Sequence, residues 1–436
     1  MPDTDLRAEA RERSTSVQRG EPSPSLHPPR RRRPRGAARH YASLLSPSSS
    51  AALGVLLERD GGERLRRLGV TIGDRARQRV APTRPRMRAL QAAPGMRLRW
   101  RDVPAPPPPG PDGAVVHPIA AATCDLDCPL ALGASSFALP LHLGHECVAE
   151  VSSVGERVRT VEPGDRVLVP FEINCGTCPP CRAGLTGSCT SVPPASAYGM
   201  GVATGHWGGA FADELAVPFA DAMLVALPAG IDPAAAASLA DNVCDAYRHL
   251  APHLPALLEA DPDAEVLLVG AMSARTLFSA SVALYAGLIA QALGARNVCL
   301  CDARTSIREH AERLGIETLR PRELRRRAPA PLVVDLTVDR LGVALEHTAP
   351  DGICSSVGSF HRSMRIPILQ MYVRNVTLHV GRTHARALIP EVLELLLDGR
   401  LRPELVTTTL ASLDEAPRAL GEHFLGGGVK AVLTAY

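Results

Sequence analysis

The stretch "CGTCPPCRAGLTGSC" gathers Cys175, Cys178, Cys181 and Cys189, four of the chain's eleven cysteines, into fifteen residues with gaps of two, two and seven. Closely spaced cysteines also staple small secreted domains, so a disulfide framework is the first alternative. This chain is long, opens with no signal peptide, and its seven other cysteines show no pairing logic, so reduced thiols in a cytoplasmic setting are expected. Cys-x2-Cys turns bring two thiolates to one ion at ~2.3 Å, and Gly176, Gly184 and Gly187 free the backbone to wrap around it. One zinc held by the four sulfurs is therefore expected. Its coordination sphere is closed to water and substrate, which makes it structural and sends any chemistry elsewhere.

At 436 residues the chain exceeds what one compact core serves. Hydrophobic residues make up 45%, and no run of about eighteen uncharged apolar residues occurs, so no membrane span is expected. The nearest candidate, Thr276 to Leu293, carries Ser279, Ser281, Gly287 and Gln291 and reads as a buried core helix. The formal net charge of +3 hides an asymmetry: residues 1–86 hold 19 Arg against 9 acidic residues, net +10, and the rest is net −7. That front contains "RERSTSVQRGEPSPSLHPPRRRRPRGAARH", rich in Pro, Ser and Arg without apolar periodicity, and is expected to be a disordered basic extension. No aromatic side chain interleaves with "RRRRPR", and Asp3, Asp5, Glu9 and Glu12 are wrong for a transit peptide. A solvated extension, or a start codon assigned too early, fits better than a specific nucleic-acid partner.

From Asp261 the pattern changes. The runs "EVLLVG", "NVCLCD", "LVVDLT", "GICSSVG" and "VTLHVG" are separated by helical segments, including a long helix to Gly294 and "SIREHAERLG". Continuous apolar strands between amphipathic helices predict a parallel sheet covered on both faces, the doubly wound dinucleotide fold. Asp302 closes the second strand, where an acid accepts the ribose hydroxyl of NAD or caps the next helix; Arg304 beside it leaves NADP open. The turn "VGAMSARTLFSASVALYAG" keeps only Gly270 of the expected Gly-x-Gly-x-x-Gly. Gly270 to Asp302 spans 302 − 270 = 32 positions against about 20 in this fold, so the hydroxyls of Ser273, Thr276 or Ser279 in the longer turn partly replace the lost phosphate contacts or the loop fills the site.

The segment "LGHECVAEVSSVGERVRTVEPGDRVLVPFEINCGTCPPCRAGLTGSC", with the later "VTLHVGRTHARALIPEVLELLLDGRLRPELVTTTLASLDEAPRAL", resembles the zinc-dependent medium-chain alcohol dehydrogenase family (medium-chain dehydrogenase/reductase) from Met87 to Tyr436. The resemblance implies an α/β chain with a GroES-like, β-rich catalytic domain over 87–240 and its zinc lobe at 175–189. A Rossmann domain over 241–381 and a return to the catalytic domain over 382–436 complete it, and such chains form homodimers or homotetramers. A second, catalytic zinc is implied, held by Cys124 in "AATCDLDC", His145 in "LGHEC" and Asp241 in "ASLADNVCDAY", with Cys244 a possible substitute for Asp241. Glu146 matches a glutamate that can swing onto the metal. Taken singly, these residues read as a buried thiol, a core histidine and a helix cap.

Gly270, Asp302 and Lys430 are the cofactor candidates. Lys430, the chain's only lysine, matches a basic residue that reaches the cofactor pyrophosphate, with a solvated strand flank as the alternative. Leu126 stands where the family places a Ser or Thr proton relay and Pro129 where some members have a histidine, leaving His142 or His206 as candidate bases; Asp127 matches the common aspartate. Asp125 stands where some relatives carry an arginine near the pyrophosphate. The expected activity is hydride transfer between an alcohol and an aldehyde or ketone with NAD, NADP remaining open. The alternative is a zinc-stabilised relative that binds without turnover.

Overall fold

The computed structural model describes residues 85–435 apart from 136, 138, 202–206 and 359–363. The expected extension over 1–86 lies outside the described residues except for Pro85 and Arg86, and so does His206.

Strands β1 (Arg86–Ala93) and β2 (Arg97–Pro104) form an antiparallel hairpin whose register starts with Arg86 opposite Pro104. That pairing opens β1 one residue ahead of Met87. Strand β3 (Ala114–Ala122) leads into helix α1 (Asp127–Leu132), and β4 (Leu141–His142) then adds to β1. Strands β5 (Glu146–Val154), β6 (Arg166–Val169), β7 (Leu215–Val217) and β8 (Val225–Ala226) follow. Helix α2 (Asn242–Arg248) crosses into the second half of the chain.

That half alternates as its apolar runs predict: β9 (Glu265–Val269), α3 (Ser281–Ala292), β10 (Asn297–Cys301), β11 (Glu317–Leu319), β12 (Ala330–Asp335), β13 (Thr348–Ser356), α4 (Ile368–Arg374) and β14 (Thr377–Val380). The six strands are all parallel, in the order β11-β10-β9-β12-β13-β14. Numbered within the sheet this is 3-2-1-4-5-6, the doubly wound arrangement whose order reverses between β9 and β12. Its central strands are buried almost throughout because helices cover both faces. Helix α5 (Ala385–Leu397) and strands β15 (Thr409–Ser412) and β16 (Ala431–Thr434) then return to the first half. There β16 pairs with β3, completing a sheet ordered β15-β16-β3-β5-β6-β8 with β7 also on β3.

Helix α3 is the buried core helix expected, and it begins at Ser281, where the family resemblance places the helix start. The hydroxyls of Ser273, Thr276 and Ser279 accept hydrogen bonds from the backbone amides of Arg275, Phe278 and Ala280, so the side chains hold local turns in place of a helical ladder. The Ser279 hydroxyl also donates to Val429 O, outside the loop. Within α3, a Cβ on Gly287 would lie 2.2 Å from Ile316 Cδ1, so any larger residue there would push the Ile316 side chain aside.

The cysteine lobe is fastened to the returning segment through Glu172. This fully buried carboxylate accepts from Thr186 Oγ1 at 2.8 Å, inside the lobe, and from Arg386 N at 2.8 Å, in the first turn of α5. Gly187 N donates to His384 Nδ1 at 3.0 Å, and Arg382 Nη1 donates to Gly187 O at 3.1 Å. Burial pushes the Glu172 carboxyl up to about 7 from an ordinary 4.5, and the donors only partly offset this. The folded state therefore holds a proton that the unfolded chain has released, and stability from this group falls as pH rises from 4.5 to about 7. Glu172→Gln should remove that dependence: the Tm of the variant minus that of the wild type, measured by calorimetry, should be larger at pH 8 than at pH 5.

Candidate metal centre and nucleotide cleft

Strand register builds the first cluster. Ala122, the last residue of β3, pairs with Glu146 at the start of β5, so Cys124 and His145 emerge side by side at one end of the sheet. Val432 of β16 pairs with the same Ala122, which brings Lys430 to that end. Asp241 arrives from the start of α2 and occupies the N-cap position, yet its side chain makes no capping bond; its Oδ2 lies 3.3 Å from His145 Nε2. One ligand atom from each of Cys124, His145, Glu146 and Asp241 falls within 4.8 Å of the others.

His145 is 1% exposed, and neither ring nitrogen has a hydrogen-bond partner. A buried imidazole with both nitrogens unmet carries a penalty that a metal ion would relieve. Burial pushes the Cys124 thiol up to about 12, so ionising it calls for a strong local cation. Leu126 N donates to Cys124 Sγ at 3.3 Å and Cys124 N donates to Asp127 Oδ2 at 2.8 Å, fixing the sulfur in a tight turn. Asp127 Oδ1 lies 3.9 Å from His145 Nδ1, on the side of the ring away from Asp241. Thiolate, imidazole and carboxylate form a donor set that suits zinc and leaves a position open. Cys244 is not part of it; its Sγ donates to Leu239 O at 3.0 Å, inside the core. His142 is likewise apart, in β4 opposite Gln91.

Lys430 is fully buried, which excludes a solvated strand flank. Its Nζ donates to both oxygens of Glu146 at 2.9 and 2.8 Å and to Asn242 Oδ1 at 2.6 Å. Burial opposes the charge, but Glu146 outweighs it and keeps the ammonium protonated. Lys430 thus anchors the glutamate beside the metal cluster. Nothing in the sequence flags Asn242, the third member of this contact.

The second cluster is the cysteine lobe. All four Sγ atoms lie within 4.8 Å of one another, with Cys178 and Cys189 sulfurs 3.9 Å apart. Tetrahedral bonds of ~2.3 Å would set the sulfurs roughly 3.8 Å apart, so the four fit one zinc. Burial opposes ionisation of Cys178, but backbone donors at Thr190 and Cys181 overcome it and take the thiol down to about 5. All eleven cysteines are free thiols.

The strand order of the parallel sheet reverses between β9 and β12, the position where such sheets bind nucleotides. Gly270 follows β9, and a Cβ there would sit 2.6 Å from Asp302 Oδ2, so glycine is required for this approach. Asp302 is buried and its carboxylate accepts from Ala271 N at 3.1 Å and from Arg304 N, Nε and Nη2 at 2.8, 2.9 and 2.7 Å. Arg304 Nη1 also donates to Phe278 O at 2.8 Å, tying the inserted loop down. At the start of α3, Ser281 N and Val282 N converge on a carboxylate of this chain, so the helix terminus is competent to hold an oxyanion such as a dinucleotide phosphate.

Comparison with known proteins agrees with this architecture. Residues 110–229 match the alcohol dehydrogenase GroES-like domain. A curated protein of Mycobacterium tuberculosis named "Probable zinc-binding alcohol dehydrogenase" is 32% identical over 358 residues, covering 76% of this chain and 84% of the relative. The glutathione-independent formaldehyde dehydrogenase of Pseudomonas aeruginosa is 27% identical over 371 residues, covering 74% and 89%. Among solved structures, alcohol dehydrogenase TADH from Thermus sp. ATN1 superposes with a TM-score of 0.69 at 30% identity, covering 80% of this chain and 99% of that one. With the GroES-like sheet, the parallel nucleotide sheet and both cysteine-bearing clusters in place, this chain belongs to the zinc-dependent medium-chain alcohol dehydrogenase family.

Proposed function

We propose that this protein transfers a hydride between a small alcohol and the matching aldehyde or ketone, using NAD(P), at Cys124, His145 and Asp241. The observation that carries the reading is the gathered thiol, imidazole and carboxylate, with both nitrogens of the buried imidazole lacking partners. When bound, zinc supplies a Lewis acid for the substrate oxygen and the nicotinamide exchanges the hydride. The chain's own residues set the geometry. Asp127 and the Leu126 amide hold the Cys124 turn, while Lys430 and Asn242 hold Glu146 beside the cluster. Leu126 has no hydroxyl, so proton release does not run through that side chain. Gly270 and the amides of Ser281 and Val282 serve the cofactor, and Asp302 with Arg304 sets the floor of its ribose position. Cys175, Cys178, Cys181 and Cys189 hold the structural ion.

The same reading divides the chain into a catalytic domain over 87–240, a nucleotide domain over 241–381 and a returning segment over 382–436. It also places the protein in a reducing, cytoplasmic setting, consistent with the free thiols. Ile368, Leu369, Tyr372 and Val373 of α4 are exposed, as is Val380 on the adjacent edge strand β14, and this apolar face supports a homodimer paired through the nucleotide sheet. Leu369→Asp combined with Tyr372→Asp should shift the protein to monomer in sedimentation velocity runs.

Elemental analysis of the full-length protein should find two zinc ions per chain, and fluorescence titration should give a micromolar NADH or NADPH Kd. Cys124→Ser should leave one zinc and abolish oxidation of a primary-alcohol panel, whereas Cys175→Ser should lose the other zinc and lower Tm. Two zincs with no nucleotide binding and no turnover would overturn the assignment. Lys430→Met should destabilise the fold by about 3–5 kcal/mol in denaturant titrations, because it leaves Glu146 buried without its counter-charge. Adding Glu146→Leu should restore part of that loss.

A further inference from the structure

The N-terminus of α3 lies at the switch point of the nucleotide sheet, where the cofactor reading puts the dinucleotide's pyrophosphate. In this protein that position already holds an anion. Asp125, 156 residues upstream and adjacent to Cys124, reaches across from the catalytic segment. Its Oδ1 accepts from Ser281 N at 2.9 Å and is also bonded by the Ser281 hydroxyl, while its Oδ2 accepts from Val282 N at 3.3 Å. The contact continues inward: Ser281 Oγ lies 2.9 Å from Asn242 Oδ1, which receives the Lys430 ammonium, which in turn holds Glu146. A single polar chain thus runs from the helix terminus to the metal cluster.

Resting on the oxidoreductase reading above, we propose that Asp125 is an internal competitor for the cofactor's phosphate position and so determines cofactor affinity. Two backbone amides cannot serve the Asp125 carboxylate and a pyrophosphate oxygen at once. Two anions a few ångströms apart also repel strongly where water is scarce. Dinucleotide binding therefore requires Asp125 to leave the helix terminus. Because Asp125 sits next to Cys124, its departure moves the segment that carries a metal ligand, and a filled cleft is coupled to the geometry of the metal cluster. The free protein keeps α3 capped by its own side chain.

The test compares full-length, zinc-loaded wild type with Asp125→Asn, which keeps the shape and one acceptor oxygen but loses the charge, and with Asp125→Ser, which also withdraws the reach. Zinc content and Tm establish that each variant is folded. NADH titration by fluorescence should show about tenfold or greater tightening in both variants. Hydrogen exchange should find the Ser281 and Val282 amides protected in the free wild type, faster-exchanging in free Asp125→Ser, and protected again on adding NADH. Equal or weaker NADH affinity in the folded variants would overturn the competition and reduce Asp125 to a structural cap. Absence of NADH and NADPH binding from all three proteins would instead overturn the oxidoreductase assignment itself.

Discussion

The antiparallel ladder of β3 is the constraint from which the site follows. It pairs with β5 on one side and β16 on the other, and all three strands meet at Ala122. Cys124, His145, Glu146 and Lys430 come from places up to 306 positions apart in the chain, yet each sits within two residues of that meeting point or its partners. A one-residue slip of β5 would turn His145 and Glu146 to opposite faces from those they occupy, since side chains alternate along a strand. The register is secured by apolar residues on both faces: Ala120, Ala121 and Ala122 are fully buried against Val148, Ala149 and the β16 residues Ala431 and Leu433. Small alanines let the strands and the covering helices approach closely enough for short polar side chains to meet.

Charge explains why the cluster takes this composition. Asp127 and Glu146 are fully buried, Asp241 is 8% exposed, and Cys124 lies among them. Lys430 is a single buried cation, and its short contacts to both oxygens of Glu146 commit it to that one acid. Asp241, Asp127 and the thiol are left to share the His145 imidazole, 3.3 Å from Asp241 and 3.9 Å from Asp127, and one imidazole does not balance three desolvated acidic groups. A divalent ion resolves it, because one metal both accepts the thiolate and carboxylate and satisfies the imidazole nitrogen. The lobe reaches the same end by another route, with four thiols and backbone amides such as Cys178 N, which donates to Cys175 Sγ at 3.4 Å. The first cluster offers mixed donors, a thiol, an imidazole and carboxylates; the second offers four thiols.

The parts of this arrangement legible in the sequence are those whose signal is local. Cysteine spacing announces the lobe because Cys-x2-Cys turns make contact within a few residues. The continuous apolar runs announce the parallel sheet because strands buried on both faces have no polar side. What stays hidden depends on contacts between distant segments. From the sequence Lys430 looks equally suited to solvent or to a phosphate, and only the β16 register shows it beside Glu146. Asn242 has no motif at all, and its role exists only because α2 ends up between Lys430 and Ser281. Apolar character over residues 276–293 does not by itself mark where α3 begins, because Ser273, Thr276 and Ser279 accept from nearby backbone amides, a competition that an apolar pattern does not register.

The lost glycines and the Asp125 cap are two sides of one packing solution. A glycine-rich turn leaves the first amides of its helix hydrated and open, so an empty site costs little. Here the inserted loop folds over that end instead: Phe278 is half-buried, Arg304 clasps its carbonyl, and the Ser279 hydroxyl donates to Val429 O just ahead of Lys430. At that end the Asp125 carboxylate accepts from the amides of Ser281 and Val282, and a buried amide without any acceptor would cost about 1–3 kcal/mol. An internal carboxylate is the acceptor that this loop makes necessary, and Asp125 is placed to supply it by the same turn that aims Cys124 at the metal cluster. The loop without glycines and the segment carrying Cys124 thus meet at one point, where Asp125 accepts from the first amides of α3.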